Sequence, residues 1–92
     1  MANTKSALKR VRSSEKRRVR NRRVRSETRT YIKKARAQIE AGELEEAQKS
    51  VAQAVRVLDK AAERGILHRN NVTRRKSRLM QSLNQALQTT KV

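Results

Sequence analysis

"VRSETRTYIKKARAQIE", residues 24–40, is where the basic N-terminal part of this chain acquires an apolar side. At about 100° per residue on a helical wheel, Val24, Thr28, Tyr31, Ile32, Ala35 and Ile39 share a sector roughly 100° wide. Such a stripe predicts a helix with one face packed on protein. Followed upstream, the same sector holds Asn21, Arg17, Ser14, Ser13 and Arg10, so the stripe stops at Val24. Lys16, Arg17, Arg18, Arg20, Arg22, Arg23 and Arg25 meanwhile surround the axis on nearly all sides. From Ser13 to Thr30, eight of the eighteen residues are Lys or Arg. A helix basic all round has no protein core to face.

Downstream, the only two glycines, Gly42 and Gly65, divide the chain into three parts. In the middle part, Leu44, Ala47, Val51, Ala54, Val55, Leu58, Ala61 and Ala62 follow the amphipathic-helix template. Gly65 follows Arg64 where a C-terminal glycine is expected. In the last part, Val72, Leu79, Leu83, Ala86 and Leu87 share one side, with Met80 at its edge and Asn70 or Asn71 as the expected N-cap. The predicted helices cover about 5–41, 44–64 and 70–88. At 1.5 Å per residue the first is roughly 55 Å long against about 30 Å for the others. The expected fold is all-α: one domain over residues 1–92, a three-helix bundle whose extended basic first helix overhangs it by roughly 20 Å or more.

Composition sets the class of partner. Only 35% of the 92 residues are apolar and Tyr31 is the sole aromatic, so the core must be thin and aliphatic. The net charge of +17 favours binding a polyanion. Residues 1–36 carry +13 (15 basic, 2 acidic), residues 37–65 carry −2 (4 basic, 6 acidic), and residues 66–92 carry +6 (6 basic). With no Cys there is no disulfide framework and no cysteine-based zinc site. No apolar run reaches the length of a signal-peptide core or a membrane span, so a soluble intracellular chain is expected. His68, the only histidine, has no nucleophile, Cys or acidic neighbour in sequence, so a catalytic role is not expected. No cofactor or metal is expected either.

Guanidinium and ammonium groups bind phosphate. Carried around a whole helix, they suit folded RNA, where several backbones converge on one crevice. The lack of aromatic platforms argues against reading unstacked bases, so recognition of RNA shape and backbone is expected. Like-charge repulsion without a core predicts that the N-terminal twenty-odd residues become helical only on RNA. A second basic cluster is "HRNNVTRRKSRL", His68 to Leu79. Arg74, Arg75 and Arg78 fall within about 100° of each other, opposite the Leu79–Leu83–Ala86 face, and form a second candidate surface. Lys76 lies near the apolar stripe and must snorkel. Glu43, Glu45, Glu46, Asp59 and Glu63 read as a solvent-facing side turned away from RNA.

The segments "ANTKSALKR", "EKRRVRNR", "RTYIKKA" and "GILHRNNVTRRKSRL", in that order and spacing, resemble the bacterial small-subunit ribosomal protein family numbered twenty. The resemblance covers nearly the whole chain. It implies a non-enzymatic structural protein of the small ribosomal subunit, a three-helix bundle that binds 16S ribosomal RNA directly and early in assembly. The implied partners are the 5′ domain and the lower part of the long penultimate helix, with few protein contacts, a monomeric chain and no membrane. The implied location is the cytoplasm, or the stroma for a plastid source. By matching position, RNA would be met by Asn3, Lys5, Ser6, Lys9, Arg10, Arg12, Lys16, Arg17, Arg18, Arg20, Asn21 and Arg22. Arg29, Lys33 and Lys34 continue the set, with His68, Asn70, Arg74, Lys76, Ser77 and Arg78 from the second cluster. Arg23, Arg25 and Arg75 join it from their wheel positions. Leu8 departs from a position that is basic in many relatives, and Val72–Thr73 departs from a usual pair of alanines.

Rival readings fit less well. Leu44, Val51 and Leu58 stand seven apart, as in a basic-region leucine zipper. Gly42, however, separates this repeat from the basic helix and Gly65 ends it after about three heptads. A presequence or membrane-surface helix needs an apolar face that residues 5–23 lack.

Overall fold

Both helix ends that carry a glycine close in the same way, and these closures set the topology. A computed structural model describes residues 5–90, with helix α1 at Lys5–Glu40, α2 at Leu44–Glu63 and α3 at Arg69–Thr90. Gly42 has φ +79°; its N–H reaches the Ile39 carbonyl, and the Glu43 N–H reaches the Gln38 carbonyl at 3.0 Å. Gly65 has φ +73°; its N–H reaches Ala62, and the Ile66 N–H reaches Ala61 at 2.9 Å. Each pair is a Schellman closure, which needs a left-handed residue after the helix and so favours glycine. After the second, Ile66 is buried, so the turn also feeds the core.

The helices run antiparallel in sequence order. Gln38 near the end of α1 accepts a hydrogen bond from the Ser50 hydroxyl near the start of α2. Arg25 near the middle of α1 reaches the Ile66 carbonyl just past the end of α2. Asp59 late in α2 meets Lys76 early in α3. Ile39 and Glu40 of α1 line a shallow groove with Ser82, Gln85 and Ala86 of α3, so those two helices end side by side.

The core follows the predicted stripes. Ala35, Val51, Ala54 and Leu79 form its centre, with Tyr31, Ile32, Ile39, Val55 and Leu83 packed around it. Ala47, Leu58, Ala61 and Val72 are also buried. Four of these buried residues, Ala35, Ala47, Ala54 and Ala61, are alanines, so the core is thin and carries little apolar bulk. Thr28 is 1% exposed, with its hydroxyl donating to its own helix at the Arg25 carbonyl, 2.7 Å away. That bond leaves its methyl free to pack, so a polar residue can occupy an apolar position. Val51 and Leu58 are buried within this bundle and Leu44 is half-buried, so the heptad-spaced row is used internally.

Upstream of Val24 α1 has no bundle beside it. About twenty residues, or roughly 30 Å of helix, extend beyond the Arg25–Ile66 contact. The radius of gyration is 18.2 Å, where a compact domain of this length has about 12 Å. The surface is 7695 Å², where a compact chain of this mass exposes about 5500 Å².

Two expectations need correction here. The first turn of α3 starts at Arg69, not after Asn70 or Asn71, and the cap is His68: its Nδ1 accepts the Asn70 N–H at 3.1 Å. An imidazole nitrogen two residues back serves the orphan N–H as an Asn oxygen would. The expectation that the N-terminal segment needs RNA to become helical also differs from the structure, in which α1 is unbroken from Lys5. No Pro or Gly interrupts it, and its Lys, Arg, Leu and Glu are good helix formers.

Candidate nucleic-acid interface

The overhang presents its cations because nothing covers them. Lys5, Lys9, Arg10, Arg12, Lys16, Arg17, Arg18, Arg20, Arg22 and Arg23 are all exposed along α1, as is Ser6. Arg29, Lys33 and Lys34 are exposed where α1 runs beside the bundle, on the side away from Thr28 and Ala35. A long, nearly bare rod therefore carries positive charge from its free end to the bundle. Ser14, Arg17, Arg18, Asn21, Arg22 and Arg25 border one continuous groove along it, so guanidinium donors and hydroxyls face the same space.

Two members of this set have protein duties. Arg25 places Nη2 3.4 Å from the Ile66 carbonyl, a long contact that leaves most of its guanidinium donors free. Asn21 is half-buried with Oδ1 enclosed and unbonded, since it sits where the α1 core face gives out. Asn3 lies outside the described residues.

On α3, Asn70, Arg74, Ser77 and Arg78 are exposed, as is His68 at its start. Arg75 is different: it is half-buried, and its Nε donates to Asn71 Oδ1 at 2.7 Å. Its position is four residues before Leu79, which carries it to the edge of the packed face instead of opposite it. Lys76 is also half-buried, and its Nζ lies 2.8 Å from Asp59 Oδ1. Asp59 therefore faces α3, which corrects its place among carboxylates turned only to solvent. Sequence periodicity put Lys76 beside the apolar stripe; the acceptor that holds it there comes from another helix. Arg64 and Arg69, absent from the sequence-derived set, are exposed on either side of the turn that Arg25 touches. Their nearness to the root of the overhang depends on how α2 and α3 fold back.

The arrangement is one of many separate cations along one extended helix, able to hold phosphate oxygens along more than one strand. Residues 2–84 match the family model described as Ribosomal protein S20. A protein of Thermomicrobium roseum named small ribosomal subunit protein bS20 is 55% identical over 84 residues, covering 91% of this chain and 85% of the relative. Its namesake in Dehalococcoides mccartyi is 50% identical over 86 residues, 94% of this chain and 98% of the relative. That of Coprothermobacter proteolyticus is 46% identical over 88 residues, 96% of this chain and the whole of the relative. With the match running from the free end of the basic rod through most of α3, the chain belongs to the ribosomal protein S20 family.

Proposed function

We propose that this protein is a structural constituent of the small ribosomal subunit that binds small-subunit ribosomal RNA directly and stabilises its fold during assembly. The observation that carries this reading is the end of the protein core at Val24 on a helix that continues for about 30 Å with its cations exposed. Such a rod has no protein neighbour in the bundle and is complementary to converging phosphate backbones. The proposed contacts are the exposed cations of α1 together with Arg74, Ser77 and Arg78 of α3. Lys76 contributes less because Asp59 already holds its ammonium. The 5′ domain and the long penultimate helix are the proposed RNA partners. Use of the Val51–Leu58 row inside the bundle supports a monomer within the ribosome. The bacterial relatives favour a cytoplasmic ribosome as its location.

A salt titration of binding to small-subunit ribosomal RNA tests the reading. If about ten phosphates are neutralised, log K falls against log salt with a slope of roughly −7 to −9. A slope shallower than about −3 would mean that the cations stay solvated, and would overturn it. A footprint on the same RNA, with and without the protein, locates the strands.

A further inference from the structure

The overhang is not basic on every side. Leu8, Val11 and Val19 are 50%, 57% and 64% exposed, three of the four exposed large hydrophobic residues among the described residues. On the α1 wheel they lie within about 80° of one another, centred about 150° from the Thr28–Ala35 core face. Exposed Glu15 lies between them, an acid in the most basic part of the chain. Arg12, Lys16 and Arg23 border the stripe on one side and Arg18 on the other; Arg22 closes its C-terminal end. Helical spacing alone brings these residues together, which corrects the reading that residues 5–23 lack any apolar face; Glu15 and the bordering cations keep that face too narrow for a membrane surface.

An all-phosphate environment accounts for neither the aliphatics nor the acid. We infer that this stripe is the face α1 lays into the shallow minor groove of a double-stranded RNA segment. This rests on the proposed RNA-binding function and specifies which RNA surface one side of the rod meets. An A-form minor groove is wide and displays riboses and 2′-hydroxyls between two phosphate strands. Ribose C–H faces suit Leu8, Val11 and Val19; a 2′-hydroxyl donates to the Glu15 carboxylate; the bordering cations reach the two strands. A helix about 10–12 Å across fits no B-DNA minor groove, which is about 6 Å wide, and the RNA major groove is too narrow to admit it. A second copy of this chain is disfavoured, since basic rows on both sides of the stripe would repel their counterparts.

The test uses the full chain, a transcript of the small-subunit ribosomal RNA 5′ domain, and binding measured across a salt series. Replacing Leu8→Ala, Val11→Ala and Val19→Ala together lowers affinity roughly tenfold or more at every salt concentration, with the salt slope unchanged. Alanine is the stronger helix former, so the loss does not come from a frayed helix. Val19→Arg also lowers affinity despite its added charge. Val19→Cys provides the only thiol in the chain, and a hydroxyl-radical source tethered there cuts riboses on two facing strands. Unchanged affinity in the triple variant, tighter binding by Val19→Arg, or cleavage confined to one strand would overturn the inference. So would a triple variant that binds RNA normally but fails to enter subunits, which would put a protein on the stripe. Failure of the unmodified chain to bind RNA would instead remove the underlying functional reading.

Discussion

Arg25 places its guanidinium against the Ile66 carbonyl, 3.4 Å away, and this pair marks where the bundle stops and the bare part of α1 begins. C-terminal to it, α1 residues have partners in α2 and α3. Upstream of Asn21, which is half-buried, their surroundings are solvent or another molecule. Stability and binding should therefore separate along one helix.

Arg17→Ala and Arg22→Ala act on binding alone. Each should weaken RNA binding and make the salt slope shallower by about one, while the thermal midpoint of the free protein stays unchanged. Calorimetry beside the binding titration checks both halves. A lowered midpoint in either variant would contradict the overhang.

Leu58→Ala and Leu79→Ala act on the bundle. Both side chains are fully buried, and removing either should destabilise the fold by about 2–5 kcal/mol. For a chain whose total stability is about 5–14 kcal/mol, that is a large fraction. Urea unfolding followed by circular dichroism measures it.

Gly65→Ala isolates a backbone effect. A Cβ there would meet nothing within 4 Å, so the left-handed conformation is the only obstacle. The expected loss is about 1–2 kcal/mol, read as a lower urea midpoint at unchanged m-value.

Amide exchange should divide α1 in two. Residues 5–23 are held by local hydrogen bonds alone and should exchange fast, whereas 28–39 are packed and should exchange slowly. Added salt should slow exchange in the first group by screening like charges. Uniform protection along α1 would contradict this division.

Lys76→Ala should be nearly silent. Its pair with the exposed Asp59 carboxylate contributes about 0.2–1 kcal/mol, and RNA affinity should fall less than in Arg78→Ala. Parallel binding titrations of the two variants decide the order.

The architecture was readable in the residues because it depends on local and periodic features. Val24 to Ile39 repeat at helical spacing, Gly42 and Gly65 permit the left-handed closures, and the absence of other apolar residues in register leaves the rod bare. Those features survive in any arrangement of the chain, so no knowledge of neighbours was needed. The partner of each polar group was not readable in this way. His68 became a cap, Lys76 and Arg75 lost freedom to Asp59 and Asn71, and Asn21 came to enclose an unbonded oxygen. Thr28 took a core place through a bond to its own helix. For Lys76 the deciding atom, Asp59 Oδ1, comes from a different helix, whereas Arg75, His68 and Thr28 bond within their own stretch of chain, each choosing among several partners within reach. Spacing along one helix sets which neighbours a side chain can reach but not which of them it takes, and it says nothing of a partner on another helix; packing decided both.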